Sequence, residues 1–338
     1  MQKTDQIKWG LIIQGPIITF GQGGNNSNKG FDSTNVINQN IRNFAPLVEK
    51  IIFSTWVDSG FKYSNNKIDN FFVVENPLPC NRDPDNRKKQ FYSTYAGIRF
   101  LQMNSNVTHV LKIRTDQLIP LAIIDWLQNV FTNEIMINEF QIDQKIIFSE
   151  FIKSESFYVG DFIFAGEINK VFEFIDINLK FKKNLHPSIG VDYFLKYLSV
   201  IDSNNFKKLF IRSIPLIAQV SLKKSEIVTI YWRNQLANKA SFIPRFIAND
   251  IIWRGRIMKD LNFSHFCYFE EWRDLNINFR NHKFANKKIK ILSVLLMEKF
   301  VFNKVVYEYK RYFLLRIKLL FPFTFKLYKK LFYILFYF

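Results

Sequence analysis

The sequence predicts an α/β protein with a mostly parallel central sheet flanked by helices. Apolar, strand-like runs alternate with helix-like segments through residues 1–120. That alternation is typical of parallel strands joined by crossover helices. Of the 338 residues, 48% are hydrophobic, which is enough for a substantial core and excludes a largely disordered chain.

The first strand signal ends in a tight turn. Residues 8–13 form an apolar run that leads directly into Gln14, Gly15 and Pro16. Gly15 permits a sharp turn with close backbone approach, and Pro16 ends the strand because it has no N–H to donate. A glycine turn after a first strand is a common place for a nucleotide to bind. This turn is therefore a candidate binding site.

The next elements continue the alternation. A helix is predicted over Thr34–Phe44 and a second strand over Lys50–Trp56. The polar run that begins at Asn86 opens a further helix, which continues to Ile98. Because strand and helix signals follow one another without a second consecutive strand, these segments favour crossover connections over hairpins.

The strand signal of residues 110–113 ends abruptly in Arg114, Thr115 and Asp116. A carboxylate at the C-terminal end of such a strand lies where open α/β sheets bind ligands, and it can hold a divalent cation against a diphosphate. Arg114 can meet a phosphate or pair with Asp116. The same pattern also fits an acid that caps the next turn with Arg114 as its partner.

Two further acids stand out in the middle of the chain. Asp161 lies within residues 157–166, which are predicted to form a strand pair. Asp192 lies just inside a predicted helix, where a carboxylate is also favoured by the helix macrodipole. Both acids are candidates for chemistry, and both have an ordinary structural explanation.

The predicted organisation has three parts. Residues 1–230 are expected to form the main domain, residues 231–309 a helical or mixed extension, and residues 310–338 a basic amphipathic tail. Aromatic and basic residues in the extension fit either an acceptor or diphosphate surface or ordinary packing and solvation: Trp232, Arg233, Trp253, Arg254, Arg256 and Arg273.

The order of these motifs resembles the WavE family of bacterial lipopolysaccharide-synthesis proteins. The matching elements lie within about residues 8–200: the Ile-Gln-Gly-Pro opening, the Ser-Thr-Trp strand, the Asn-Arg-x-x-Gln helix, the Lys-x-Arg-Thr-Asp strand end and the Gly-Asp…Gly block. The resemblance implies a GT-A-like fold and a glycosyltransferase that uses a nucleotide-sugar donor in surface-polysaccharide assembly.

If the protein is a nucleotide-sugar-dependent glycosyltransferase, its chemistry suggests roles for the candidate residues. Asp192 would take the proton of the acceptor hydroxyl, and Asp161 would contact the donor sugar or orient the acceptor. Mg²⁺ or Mn²⁺ at Asp116 would neutralise the leaving diphosphate, or arginines would do so without a metal. Contacts to the nucleotide sugar are expected from Gln14, Gly15, Pro16, Asn86, Arg87, Gln90, Arg114 and Asp116.

The formal net charge of +18 is not spread evenly. Residues 310–338 contain seven Lys or Arg, no acid and many large apolar side chains, and Pro322 divides them into two predicted amphipathic segments. This composition is typical of a helix on an anionic membrane, where each basic residue contributes about 1 kcal/mol. The alternative is a helix packed on the core with a solvated basic face.

Composition also bears on location and partners. The sequence has no recognisable signal peptide, no transmembrane-length apolar run and only two, widely separated cysteines. We therefore expect a cytoplasmic protein. The WavE resemblance, together with the basic tail, implies a place on the inner face of the bacterial inner membrane and a lipid-linked or lipopolysaccharide acceptor. Nucleic acid is not an expected partner, because no helix-turn-helix, zinc-finger or RNP-like pattern accompanies the basic residues.

Two other functions stay open on the sequence alone. An alditol-phosphate or phosphoryl transferase of surface-polysaccharide synthesis would use the same diphosphate site. A non-catalytic, membrane-bound scaffold would keep the fold without the activity.

Overall fold

The computed structural model describes residues 7–20, 30–61, 68–79, 87–152, 158–180, 226–261 and 265–281. Its strands are β1 (Trp9–Gln14), β2 (Ile18–Thr19), β3 (Phe31–Asp32), β4 (Lys50–Trp56), β5 (Phe71–Asn76), β6 (His109–Arg114), β7 (Gln117–Leu118), β8 (Ile146–Phe148), β9 (Phe151–Ile152), β10 (Phe164–Glu167), β11 (Ala240–Phe242), β12 (Ile252–Trp253), β13 (Arg256–Ile257) and β14 (Phe266–Cys267). Its helices are α1 (Thr34–Phe44), α2 (Arg87–Asn104), α3 (Ala122–Thr132), α4 (Glu134–Phe140), α5 (Ile168–Lys180), α6 (Glu226–Lys239), α7 (Arg245–Asp250) and α8 (Phe269–Asn281).

Among the described residues, seven strands form the central sheet in the order β11-β8-β10-β6-β1-β4-β5. Of these seven, β10 runs antiparallel to its neighbours β6 and β8, and the other pairs are parallel. The C-terminal ends of β1, β4, β6 and β8 therefore share one edge with the start of β10. Loops at that edge are where ligands bind in sheets of this kind.

The central strands are buried because helices cover the sheet. All six residues of β1 are buried. Two glycines bring α2 close to β1: a Cβ at Gly97 would lie 3.0 Å from the Ile12 side chain, and one at Gly10 would lie 2.9 Å from Leu101. Since α2 follows β5 and leads to β6, its first turn lies over the C-terminal edge of the sheet.

A small second sheet covers the end of β6. It has the order β13-β12-β7, and β7 follows β6 after a two-residue turn. The β12–β13 hairpin turns at Arg254 and Gly255, whose φ angles of 51° and 77° are those of a type I′ turn. Trp253 pairs with Gln117, which sets this hairpin beside the last residues of β6.

The mostly parallel sheet of the GT-A-like prediction is confirmed, with adjustments. Of the strand pair predicted over residues 157–166, the structure has one strand, β10, preceded by an isolated bridge from Val159 to Phe151. The predicted boundary at residue 230 does not separate the sheet, because β11 pairs with β8. A three-residue strand is too short to leave a periodic signal in the sequence.

The predicted tail, residues 310–338, lies outside the described residues. Among the residues that the structure does describe, no helix is long and apolar enough to cross a membrane.

Candidate functional site

A pocket of about 380 Å³ opens at the C-terminal edge of the central sheet. Its lining divides by chemistry. A neutral lining comes from the ends of β1 and β4, from β2 and from the segment after β5: Gln14, Gly15, Pro16, Ile18, Thr19, Phe20, Trp56 and Leu78. A charged lining comes from α2, from the end of β6, from the segment before β10 and from the β12–β13 turn: Lys89, Arg114, Asp116, Asp161 and Arg254. Gln90 and Thr115 complete the pocket.

The glycine turn after β1 forms the base of the neutral lining. Gly15 has a φ of 132°, and a Cβ there would lie 2.9 Å from Thr115 Oγ1. Its N–H donates to the Ser54 carbonyl (3.2 Å), and the N–H of Thr115 donates to the Gln14 carbonyl (3.1 Å). Only glycine combines this backbone conformation with this close approach.

Asp116 is the centre of the charged lining, and it is fully buried. Arg114 binds its carboxylate with two hydrogen bonds, Nε to Oδ1 at 3.0 Å and Nη2 to Oδ2 at 3.1 Å. Oδ2 also accepts from Arg254 Nε at 2.8 Å and from Trp253 Nε1 at 3.1 Å. Burial alone would raise the pKa of Asp116, but the charge of Arg114 and the hydrogen bonds from both arginines hold it below its usual value.

Arg114 connects this buried carboxylate to one that faces the pocket. Its Nη1 lies 3.3 Å from Asp161 Oδ2, and its guanidinium carbon lies 5.4 Å from the centre of the Phe162 ring. Burial would lower the pKa of Arg114, but the charges of Asp116 and Asp161 outweigh this effect and raise it. Arg114 therefore stays a cation while 23% of its side chain is exposed.

The backbone at Asp161 is fixed by two side chains. Gln90 Nε2 donates to the Asp161 carbonyl at 3.0 Å, and Lys112 Nζ donates to the same oxygen at 2.7 Å. Lys112 is fully buried, and this burial lowers its pKa to about 7. The Asp161 side chain is 31% exposed, so its carboxylate is available to a ligand in the pocket.

A second buried acid lies behind this segment. The Gly160 N–H donates to the Glu150 carbonyl at 2.8 Å, and a Cβ at Gly160 would overlap with Glu150 Oε1. Burial raises the pKa of Glu150 to about 7, and the charge of Asp161 adds to this effect. The glycine therefore makes room for a carboxyl group directly behind the charged lining.

The donor set around Asp116 does not fit a divalent cation. Such an ion needs free carboxylate oxygens, and both oxygens of Asp116 accept hydrogen bonds from cationic side chains. No group of three or more His, Cys, Asp or Glu that could hold a metal occurs among the described residues. The charge-neutralising groups that the described residues offer to an anion are guanidinium and ammonium groups.

The structure brings together most of the predicted site. Seven predicted residues line the pocket: Gln14, Gly15, Pro16, Gln90, Arg114, Asp116 and Asp161. Arg87 begins α2, but its side chain is not among those described. Asn86 and Asp192 lie outside the described residues, so the role of Asp192 as a base stays a prediction.

The structure adds residues that the sequence did not single out for the site. Lys89 lies beside Gln90 in the first turn of α2, and Trp56 ends a predicted strand, so both positions followed from the fold. Phe20 and Leu78 carried no motif, and Glu150 lies between two very short strands. The sequence left two roles for Arg254, a diphosphate surface or a solvated side chain. The structure places Arg254 in the pocket lining, where it donates a hydrogen bond to Asp116.

Comparison with models of known protein families and with curated proteins gives no match. Several solved structures show a weak likeness. The 2-C-methyl-D-erythritol 4-phosphate cytidylyltransferase of Francisella tularensis is 15% identical, with a TM-score of 0.31 over 50% of this chain and 76% of its own.

Two others are similarly distant. Mannose-1-phosphate geranyltransferase of Thermus thermophilus is 10% identical, with a TM-score of 0.31 over 65% of this chain and 72% of its own. HddC of Yersinia pseudotuberculosis is 12% identical, with a TM-score of 0.29 over 49% and 80%. Likenesses at this level carry no argument about activity.

Proposed function

We propose that the protein is a glycosyltransferase that uses a nucleotide-sugar donor. One observation carries the proposal: a single pocket at the ligand-binding edge of the sheet joins a neutral, partly aromatic lining to a charged lining with two arginines around a buried carboxylate. A nucleotide sugar has the same two parts, a flat nucleoside and an anionic diphosphate. The WavE resemblance supports the same class of reaction.

The neutral lining suits the nucleoside. Trp56 offers a ring to a base, and the backbone at Gly15 allows a ligand to approach closely. The charged lining suits the diphosphate, because guanidinium groups bind phosphate oxygens in bidentate fashion. In this arrangement the sugar projects toward Asp161, the exposed carboxylate of the charged lining.

The reaction follows from these positions. The acceptor hydroxyl oxygen bonds to the anomeric carbon of the sugar as the bond from that carbon to the diphosphate oxygen breaks. The hydroxyl proton passes to a carboxylate, for which Asp161 is the candidate within the described residues, and the nucleoside diphosphate leaves as an anion. Arg114 stabilises the charge that develops on this leaving group.

The first test is a binding screen followed by product analysis. We expect one nucleoside diphosphate, and the corresponding nucleotide sugars, to raise the melting temperature of the full chain. Transfer is then followed with donors labelled in the sugar or in the phosphate. Label that reaches the product only from the sugar supports glycosyl transfer, whereas label that arrives from the phosphate would identify a phosphoryl or alditol-phosphate transferase. A protein that binds no donor would favour the scaffold.

We further propose that the acceptor is a lipid-linked or lipopolysaccharide glycan and that residues 310–338 hold the enzyme at the inner face of the inner membrane. The seven basic and many apolar side chains of that segment support this part of the proposal. Attachment would raise the effective concentration of a membrane-borne acceptor. The full chain should float with anionic liposomes and a chain ending at residue 309 should not; flotation of both would contradict the assignment.

A further inference from the structure

We propose that Arg114 and Arg254, held in place by Asp116, form a diphosphate site that works without a divalent metal. The inference rests on the proposed function and names how that site neutralises its ligand. It gives Asp116 the role of a buried counter-ion of arginines, which is one of the two roles that its strand-end position left open, the other being a metal ligand.

Asp116 has the contacts of a counter-ion. Its carboxylate accepts four hydrogen bonds, two from Arg114, one from Arg254 and one from Trp253. A metal bound there would have to displace the guanidinium groups of Arg114 and Arg254 from the carboxylate. Both cations would then lie buried next to the metal ion. Asp116 is therefore suited to positioning arginines, since an ionised carboxylate that is fully buried needs such partners.

Arg114 keeps donors for a ligand. A guanidinium carries five N–H donors in a planar fork. Within the described part of the chain Arg114 uses three of them, two on Asp116 and one on Asp161. The group lines the pocket and 23% of its side chain is exposed, so a phosphate oxygen can reach its outer edge.

Arg254 has an unusual backbone conformation. Its φ of 51° belongs to the left-handed region, where Asn or Gly is the usual choice for a hairpin turn. The Arg254 N–H donates to the Asp116 carbonyl at 3.0 Å, so the backbone and the guanidinium of this residue bind the same partner. A long cationic side chain at a position that costs conformational energy points to a function for its guanidinium.

The charged lining carries a net positive charge. It has three cations, Lys89, Arg114 and Arg254, against two carboxylates, Asp116 and Asp161, so its sum is +1. Asp116 is covered by the two arginines, and the side chain of Arg114 is 23% exposed at the pocket, whereas that of Arg254 is 7% exposed. A dianionic diphosphate is the ligand that this arrangement complements.

The test measures ligand binding to the full chain by calorimetry, with inorganic pyrophosphate and the nucleoside diphosphates as probes. Each titration is run in EDTA and again with Mn²⁺. We expect the dissociation constants of the unmodified protein to agree within about twofold between the two conditions, because guanidinium groups need no metal to bind phosphate. This comparison requires no variant and therefore does not depend on the stability of one.

Variants then assign the effect to Arg254. Arg254→Lys keeps the charge but loses the fork, so we expect pyrophosphate affinity in EDTA to fall at least about tenfold. Arg256→Lys, in the same hairpin but outside the pocket lining, is the matched control and should bind pyrophosphate as tightly as the unmodified protein does. Equal affinities for Arg254→Lys and the unmodified protein would overturn the role of Arg254.

The outcomes separate this inference from the proposed function. Nucleoside diphosphate binding that is lost in EDTA and restored by Mn²⁺ would overturn the metal-independent site and leave the glycosyltransferase proposal standing. Pyrophosphate binding in EDTA without any nucleotide selectivity or sugar transfer would support the site and overturn the proposed function. Binding of neither probe under either condition would overturn both.

Discussion

The neutral and the charged linings of the pocket are held in place in different ways. In the charged lining the side chains fix one another, with Arg114 joined to Asp116 at 3.0 Å and Arg254 joined to the same carboxylate at 2.8 Å. In the neutral lining the backbone is fixed at Gly15, but large side chains are exposed, with Phe20 at 68% and Leu78 at 55%. The charged lining is thus preorganised, which is what electrostatic stabilisation of a leaving group requires.

The difference has a consequence for energetics. Removing one member of a buried ion network leaves uncompensated charges in a low-dielectric interior. Removing an exposed apolar side chain costs less, because little apolar surface was buried there. Changes at the buried members of the charged lining should therefore affect folding and transfer together. Changes in the neutral lining should affect ligand binding alone.

The largest effect is expected from Asp116→Asn. The change removes the counter-ion of two arginines, so the free energy of unfolding should fall by about 3–5 kcal/mol. Sugar transfer should fall at least about a hundredfold, because both guanidiniums lose their fixed positions. Urea unfolding and a labelled-donor assay measure the two effects.

Asp161→Asn is the matched control. Asp161 pairs with the same Arg114, but its side chain is 31% exposed, so the loss of unfolding free energy should stay below about 1 kcal/mol. Transfer should still fall, because Asp161 faces the reacting sugar in our proposal. Similar losses of stability in the two variants would show that Asp116 is not the buried centre of the network.

The surroundings of Asp116 show which parts of the site could be predicted from the sequence alone. The end of β6 was predicted from a local signal, a short apolar run followed by Arg114 and Asp116, and both residues lie in the pocket. The same signal left Asp116 open between a metal ligand and a partner of Arg114. The contact that favours the second role comes from Arg254, which lies 138 residues further along the chain and reaches Asp116 through the pairing of β12 with β7. No local pattern encodes such a contact.

Element length explains the other differences. The periodic signal of α1 predicted the bounds that the structure has, Thr34–Phe44, and the apolar run of residues 8–13 lies within one residue of β1, Trp9–Gln14. By contrast β11 has three residues, too few to show a period, so its place in the fold depends on tertiary contacts. Glu150 lies between β8 and β9, and the segment around Gly160 packs against its buried carboxyl group.

A smaller effect, dependent on pH, is expected behind the charged lining. Burial raises the pKa of Glu150 to about 7 in the folded protein, from an ordinary value of 4.5. Between these pH values the folded state binds the extra proton, so this group makes stability fall as the pH rises and the loss is complete above about pH 7. Glu150→Gln should match the unmodified protein at about pH 4 and exceed its unfolding free energy by up to about 3 kcal/mol at about pH 8.5.

Chemical unfolding of both proteins at these two pH values measures the difference. Other titratable groups surround Glu150 directly or through Asp161, and they are the same in both proteins: Lys112, Asp161, Tyr158 and Tyr268. Glu139→Gln, at an exposed position on α4, is the control and should show no such pH-dependent gain. A constant difference between Glu150→Gln and the unmodified protein at both pH values would contradict the buried, protonated carboxyl group.

The smallest effect is expected from Trp56→Ala in the neutral lining. Loss of a ring that stacks on a base should weaken nucleoside diphosphate binding about tenfold, at the lower end of what base–aromatic stacking contributes. Pyrophosphate has no base, so its affinity should not change, and the two probes in one calorimetry series separate the linings within a single variant. Trp126→Ala, at a partly buried tryptophan that contacts Phe269 away from the pocket, controls for the general cost of removing a tryptophan. If Trp56→Ala binds pyrophosphate and nucleoside diphosphate with equally reduced affinity, Trp56 holds the charged lining in place. The division of the pocket into two independent parts is then wrong.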